Sequence, residues 1–102
     1  MPVYHVVLFK LKPGVTPAQI SSWGAQAKAM VGQIPGLRKL EVNTPLPITA
    51  HRSQGFNCGL VAILDKAEDV KVYAEHPAHL GVHKLREELC DDTLAYDLEF
   101  EE

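Results

Sequence analysis

Tyr73, His76, His79 and His83 are the residues of this chain best suited to chemistry. Three of its five histidines fall between positions 76 and 83, just after a tyrosine. Imidazole titrates nearest physiological pH, so a His/Tyr cluster can move protons without a cofactor. Pro77 sits inside the cluster. Its ring disfavours helix at His76 and suits the first turn of a new helix. The histidines therefore flank a break between two helical segments, where side chains can turn into a cavity.

A metal site is the rival reading. His79 and His83 are spaced i,i+4, and His76 is i,i+3 from His79. Zinc sites use such spacings, but with a further ligand and a supporting carboxylate. Pro77 should turn His76 away from the His79/His83 face, and His83 should lie one turn further out, toward solvent. No HExxH, CxxC or Asp-x-Asp pattern is present. The expectation is no metal and no organic cofactor.

The elements that must position these groups follow from periodicity. Residues 3–11 are rich in β-branched and aromatic side chains, carry apolar residues on both faces and read as a strand, with His5 on the face of Val3, Val7 and Phe9. Thr16, Pro17 and Gln19 form a helix-start signature for a helix over 17–33, with Ile20, Trp23, Ala27, Met30 and Val31 as its apolar stripe. Strands are expected over 37–42 and 56–64, joined by a polar, proline-containing loop over 43–55. Gly59 inside the third strand points to a bulge or a close backbone approach. Helices over 67–75 and 79–90 follow, then a break at Asp91-Asp92. The last strand covers 93–101, where Leu94, Tyr96, Leu98 and Phe100 alternate with polar or small residues.

The order β-α-β-β-α-β is the ferredoxin-like α+β arrangement, an antiparallel sheet with helices on one face. The chain of 102 residues reads as a single domain, 1–102. Its strands carry more large apolar residues than one helical layer can cover. A second copy packed on the bare sheet face would complete the core, through residues such as Val6, Leu40, Val61 and Leu98. A net charge of −3 without a basic stripe argues against nucleic acid as a partner. No apolar run approaches a membrane span. The start, Met-Pro-Val-Tyr-His, lacks signal-peptide character, and two cysteines without framework spacing suit reduced thiols, so a cytoplasmic location is expected.

His5-Val6-Val7-Leu8-Phe9-Lys10-Leu11-Lys12, together with Tyr73 and His76-Pro77-Ala78-His79, resembles the stress-responsive A/B-barrel domain family, the dimeric α+β barrels. The likeness runs over essentially the whole chain. It implies a homodimer whose two sheets close into a barrel, with a pocket between each sheet and its own helices. Within that family the chain is similar to plant polyketide cyclases, which perform a cofactor-free aldol condensation. The resemblance implies His79 as general base, Tyr73 as holder or proton donor for the oxyanion, His5 in the pocket wall and His76 as a structural hydrogen-bonder. It also implies Val7, Phe9, Trp23, Cys58, Leu60, His76, Val82 and Leu85 as substrate contacts.

The chain departs from that cyclase pattern. A histidine of the third strand falls at or near Cys58, and large pocket aromatics fall at Gly24, Ala27, Val82 and Cys90. The pocket is thus reshaped, and the plant substrate does not carry over. Three functions remain compatible with these residues. One is a cofactor-independent cyclase, lyase or decarboxylase acting on a polyketide-like or phenolic small molecule. The second is a non-catalytic small-molecule-binding or stress-response dimer. The third is a cofactorless oxygenase. A nucleophilic Cys58 is a lesser alternative, because strand cysteines are usually buried and inert.

Overall fold

Every second residue of the first strand is apolar or aromatic and must leave water. In the computed structural model, which describes residues 1–102, this strand is β1 (Val3–Leu11), and it runs through the middle of the sheet. The remaining elements are α1 (Pro17–Lys28), β2 (Leu37–Asn43), a single 3-10 turn (Ala50–Arg52), β3 (Cys58–Leu64), α2 (Glu68–Glu75), α3 (Pro77–Leu89) and β4 (Cys90–Glu99). The strand order is β2-β3-β1-β4, and every neighbouring pair is antiparallel. This is the ferredoxin-like α+β fold.

Directly opposed residues of antiparallel strands share a face, so the register sorts the sheet. Val3, His5, Val7 and Phe9 look toward the helices with Leu64, Ala62, Leu60 and Cys58. Phe9, Met30, Leu40 and Leu64 are the largest wholly buried side chains. Phe9 meets Trp23 edge-on, with ring centroids 5.3 Å apart. Trp23 is held by its Nε1–H, which donates to the Val82 carbonyl at 3.0 Å. That bond ties α1 to α3 directly above the inner face of β1.

Several boundaries differ from the sequence reading. Thr16 and Gln19 form the reciprocal capping box at the start of α1. The helix ends at Lys28, however, and residues 29–34 continue as tightened turns around Gly32, whose φ is +93°. Val31 is consequently exposed rather than part of the apolar stripe. The third strand starts at Cys58, later than expected, and α3 starts at Pro77, earlier. Asp91 and Asp92 do not break the chain. They lie within β4, and a register shift opposite Lys10 and Leu11 absorbs Asp91 as a bulge. Gly59 carries no bulge, because β1 and β3 stay in register through Leu8↔Gly59. A Cβ there would touch the end of the Leu8 side chain at 3.4 Å, an ordinary contact. Gly36 is a glycine of necessity: its φ is +85°, and a Cβ would run into the Asp69 carboxylate.

The opposite sheet face carries Val6, Val61, Tyr96 and Leu98 and has no helix over it. Leu40 was expected on that face. It points the other way and is buried, because the β2 register shifts between Leu37 and Lys39, which turns both leucines inward.

Candidate functional site

The break between α2 and α3 is built by Pro77. His76 takes extended backbone (φ −69°, ψ 138°), as the residue before a proline prefers. It then caps the new helix, its Nδ1 accepting the Ala78 N–H at 3.1 Å. His76 is therefore a structural group, engaged at the helix start.

His79 stands in the first turn of α3 and Tyr73 in the last turn of α2, with ring centroids 4.5 Å apart. The Nδ1 of His79 lies 3.0 Å from the Ala74 carbonyl, one of the orphan carbonyls at the end of α2. A carbonyl only accepts, so Nδ1 carries the proton and Nε2 keeps its lone pair. Burial lowers the His79 pKa below the ordinary 6.5. The Ala74 bond works against this, while His83, His5 and Arg86 add to it. The imidazole is thus neutral near pH 7.

Tyr73 is only 2% exposed. Burial pushes its hydroxyl up to about 12; Arg86 pulls it down, and the Asp97 carboxylate raises it further. It stays protonated and able to donate. His5 completes the row: its ring lies 5.2 Å from Tyr73, edge-on. Asp97 stands directly across from His5 in β4, and its carboxylate accepts from Nδ1 at 2.5 Å. That contact fixes the imidazole's orientation and tautomer.

These groups surround a cavity of about 40 Å³ between the sheet and the helices. His5, Val7, Phe9 and Leu60 form its floor, and Trp23 closes one side. Tyr73, His79, Val82, His83 and Arg86 form the roof. Larger clefts exist, but they are open surface grooves, such as the one between α1 and the end of β2 at Lys28 and Asn43. None of them gathers this cluster.

Three expected contacts stand apart. Cys58 shares the inner face but is sealed in the core, and burial, with Cys90 nearby, pushes its thiol pKa up. That disfavours the thiolate a nucleophile needs. Leu85 faces an outer groove between α1 and α3. His76 is spent on its cap. Conversely, His83 turns only partly to solvent: its side chain is 37% exposed and also lines the cavity. It lies a turn below His79, ring centroids 5.7 Å apart, where Arg86 Nη2 donates to its Nε2 at 2.5 Å. Arg86 in the cavity lining, and Asp97 as the partner of His5, are groups that sequence reasoning missed. Their signals were the spacing 79, 83, 86 on one helical face and the alternation of β4. No three His, Cys, Asp or Glu side chains converge as a metal ligand set would.

A ferredoxin-like sheet roofed by a His/Tyr row over a small cavity defines an α+β barrel domain with a candidate acid–base pocket. Residues 3–100 match the stress responsive A/B barrel domain family, and the chain belongs to that family. A dimeric protein of unknown function from Bacteroides fragilis is 30% identical, with 97% of this chain and 96% of that one covered and a TM-score of 0.75. The hydroxynitrile lyase of Passiflora edulis is similar at 20% identity, 99% and 94% coverage and a TM-score of 0.85. SnoaB, a cofactor-independent oxygenase of Streptomyces nogalater, is similar at 15% identity, 99% and 94% coverage and a TM-score of 0.75. At these identities the last two share the fold. No curated protein matches the chain.

Proposed function

We propose that this protein is a cofactor-independent acid–base enzyme of the cyclase or lyase type, acting on a carbonyl-bearing small molecule of the polyketide-like or phenolic class. One observation carries the reading. The His79 Nδ1–H is committed to the Ala74 carbonyl, so the residue offers a free Nε2 lone pair beside a buried, protonated Tyr73. Nε2 takes a proton from a carbon next to the carbonyl, or from a hydroxyl on it. The Tyr73 hydroxyl donates to the oxygen on which negative charge develops. In a cyclisation the enolate carbon bonds to a second carbonyl carbon of the same molecule, and His79 gives the proton to the alkoxide oxygen that forms; in a lyase reaction the deprotonated hydroxyl becomes the carbonyl as the carbon–carbon bond breaks, and the proton goes to the departing carbanion. Val7, Phe9, Trp23, Leu60 and Val82 keep water away, which strengthens both interactions. His5, steadied by Asp97, forms the far wall.

The volume constrains the substrate. About 40 Å³ is room for roughly three waters. The reacting carbonyl end enters the cavity, and the rest of the molecule extends past His83, whose side chain is 37% exposed. The same small volume is what favours the second reading, a non-catalytic small-molecule-binding dimer. The experiment is a mass-spectrometric screen of linear polyketide precursors, phenolic acids and cyanohydrins with wild type and His79→Ala. Turnover by the wild type alone, surviving chelation, is the expected result. Binding without turnover would replace the enzyme by the second reading. Oxygen-dependent products would instead point to a cofactorless oxygenase.

A homodimer belongs to the proposal, since the helix-free sheet face is apolar and the Bacteroides fragilis relative is dimeric.

A further inference from the structure

Arg86 is a cation that the acid–base scheme leaves without a task. It lines the cavity, its Nε is buried and has no hydrogen-bond partner, and no other buried side-chain nitrogen or oxygen is in that position. Lys28 and Arg38 are the cations of the chain's ion pairs, His5 and His83 meet carboxylates through ring nitrogens, and none of these contacts includes Arg86. Its one polar contact is with His83. Guanidinium only donates, so His83 Nε2 accepts, and His83 Nδ1 then carries the proton that faces Glu87 Oε1 at 3.2 Å. A neutral imidazole holds the guanidinium in place without cancelling its charge. Beneath it lies the Phe9 ring, 5.8 Å from Cζ. A positive charge so placed, with a buried donor left over, is costly unless an anion meets it.

Resting on the acid–base reading of this cavity, we propose that Arg86 anchors a carboxylate of the substrate, so that the substrates are small oxo acids or carboxylated phenols. The planar guanidinium offers parallel N–H groups that match the two oxygens of a carboxylate. One cation balances one carboxylate. A phosphate dianion would need more positive charge than one guanidinium supplies, and the carboxylates of Asp97 and Glu87 already stand against His5 and His83, two imidazoles of the lining. Arg86 lies two turns along α3 from His79. An anchored carboxylate would therefore set the distance between the fixed end of the substrate and the base.

Trp23 is the only tryptophan and lines the cavity, so its fluorescence reports occupancy. Acetoacetate and salicylate are titrated against methyl acetoacetate and salicylamide, their neutral counterparts. The carboxylates should bind about tenfold or more tighter than the neutral forms. Arg86→Gln should abolish that preference, and Arg86→Lys should keep part of it. Equal affinity for charged and neutral forms, no carboxylate binding at all, or equally tight binding of inorganic phosphate would overturn the assignment. If Arg86→Gln unfolds, the wild-type charged-to-neutral ratio and Arg86→Lys still decide. Binding needs no turnover, so the acid–base reading can fail while Arg86-dependent carboxylate binding stands.

Discussion

The His79 and Tyr73 rings lie 4.5 Å apart across the Pro77 break, each held by a different helix. The pair exists because one chain break puts the end of α2 against the start of α3. The Ala74 carbonyl, left unpaired by that break, becomes the group that orients the base.

His79→Ala should abolish turnover with little effect on folding. A lost general base costs about 10²–10⁴ in rate. The side chain is half-buried at a helix end, so the thermal midpoint should move by only a few degrees. Steady-state rates beside a calorimetric melt check this. Full activity at an unchanged midpoint would remove His79 from the mechanism.

The acid limb of kcat/KM should fall below pH 6.5, because burial lowers the His79 pKa and only its neutral form accepts the proton. Stability follows the same group. The unfolded chain binds this proton more readily than the fold does, so stability drops as pH falls from about 6.5 through the lower folded value. Denaturant titrations between pH 7 and 5 should show the loss, and His79→Gln should reduce it. An acid limb above 6.5 would contradict a buried neutral base.

Tyr73→Phe should lower kcat with little change in KM, since the hydroxyl matters most when charge builds on the substrate oxygen. Its stability signature lies at high pH. The folded hydroxyl titrates at about 12 against 10.0 for an ordinary tyrosine. The stabilisation by the neutral form is complete below pH 10 and is lost as pH rises toward 12. Urea melts from pH 9 upward should show wild type losing stability faster than the Phe variant. Parallel curves would mean that the hydroxyl is not buried as described.

Much of this arrangement was legible in the residues. The alternation of Val3, His5, Val7 and Phe9 placed His5 on the inner face, and Pro77 marked the break. The illegible parts have physical causes. Leu40 turns inward because a bulge between Leu37 and Lys39 flips the register, and a bulge in an edge strand leaves no mark that one sequence displays. His83 reads from the sequence as a residue turned toward solvent, and nothing there singles out Arg86. They become cavity groups only because α3 leans on Phe9 through Val82 and the Trp23 bond. Asp97 looked like the polar side of an amphipathic strand. It faces the site because the apolar side of β4 is turned away from the helices.

That turned-away face gives the last prediction. Val6 sits opposite both Val61 and Tyr96 in the register, and Leu98 opposes Tyr4. On the unroofed face Val61 is 42%, Leu94 51%, Tyr96 64% and Leu98 43% exposed. A row of large side chains this open, running from β3 to the edge strand β4, is the kind of surface a second copy covers. Light scattering at micromolar concentration should give twice the 11.3 kDa of one chain. Val61→Lys places a charge at the middle of the seam, where it would lose water without gaining a partner. It should yield a monomer. The cavity lies on the other face, between the sheet and its own helices, so the Val61→Lys monomer should keep its His79-dependent turnover. A wild type already monomeric at that concentration would sink the dimer. A monomeric variant that folds but loses turnover would show that the second copy completes the site.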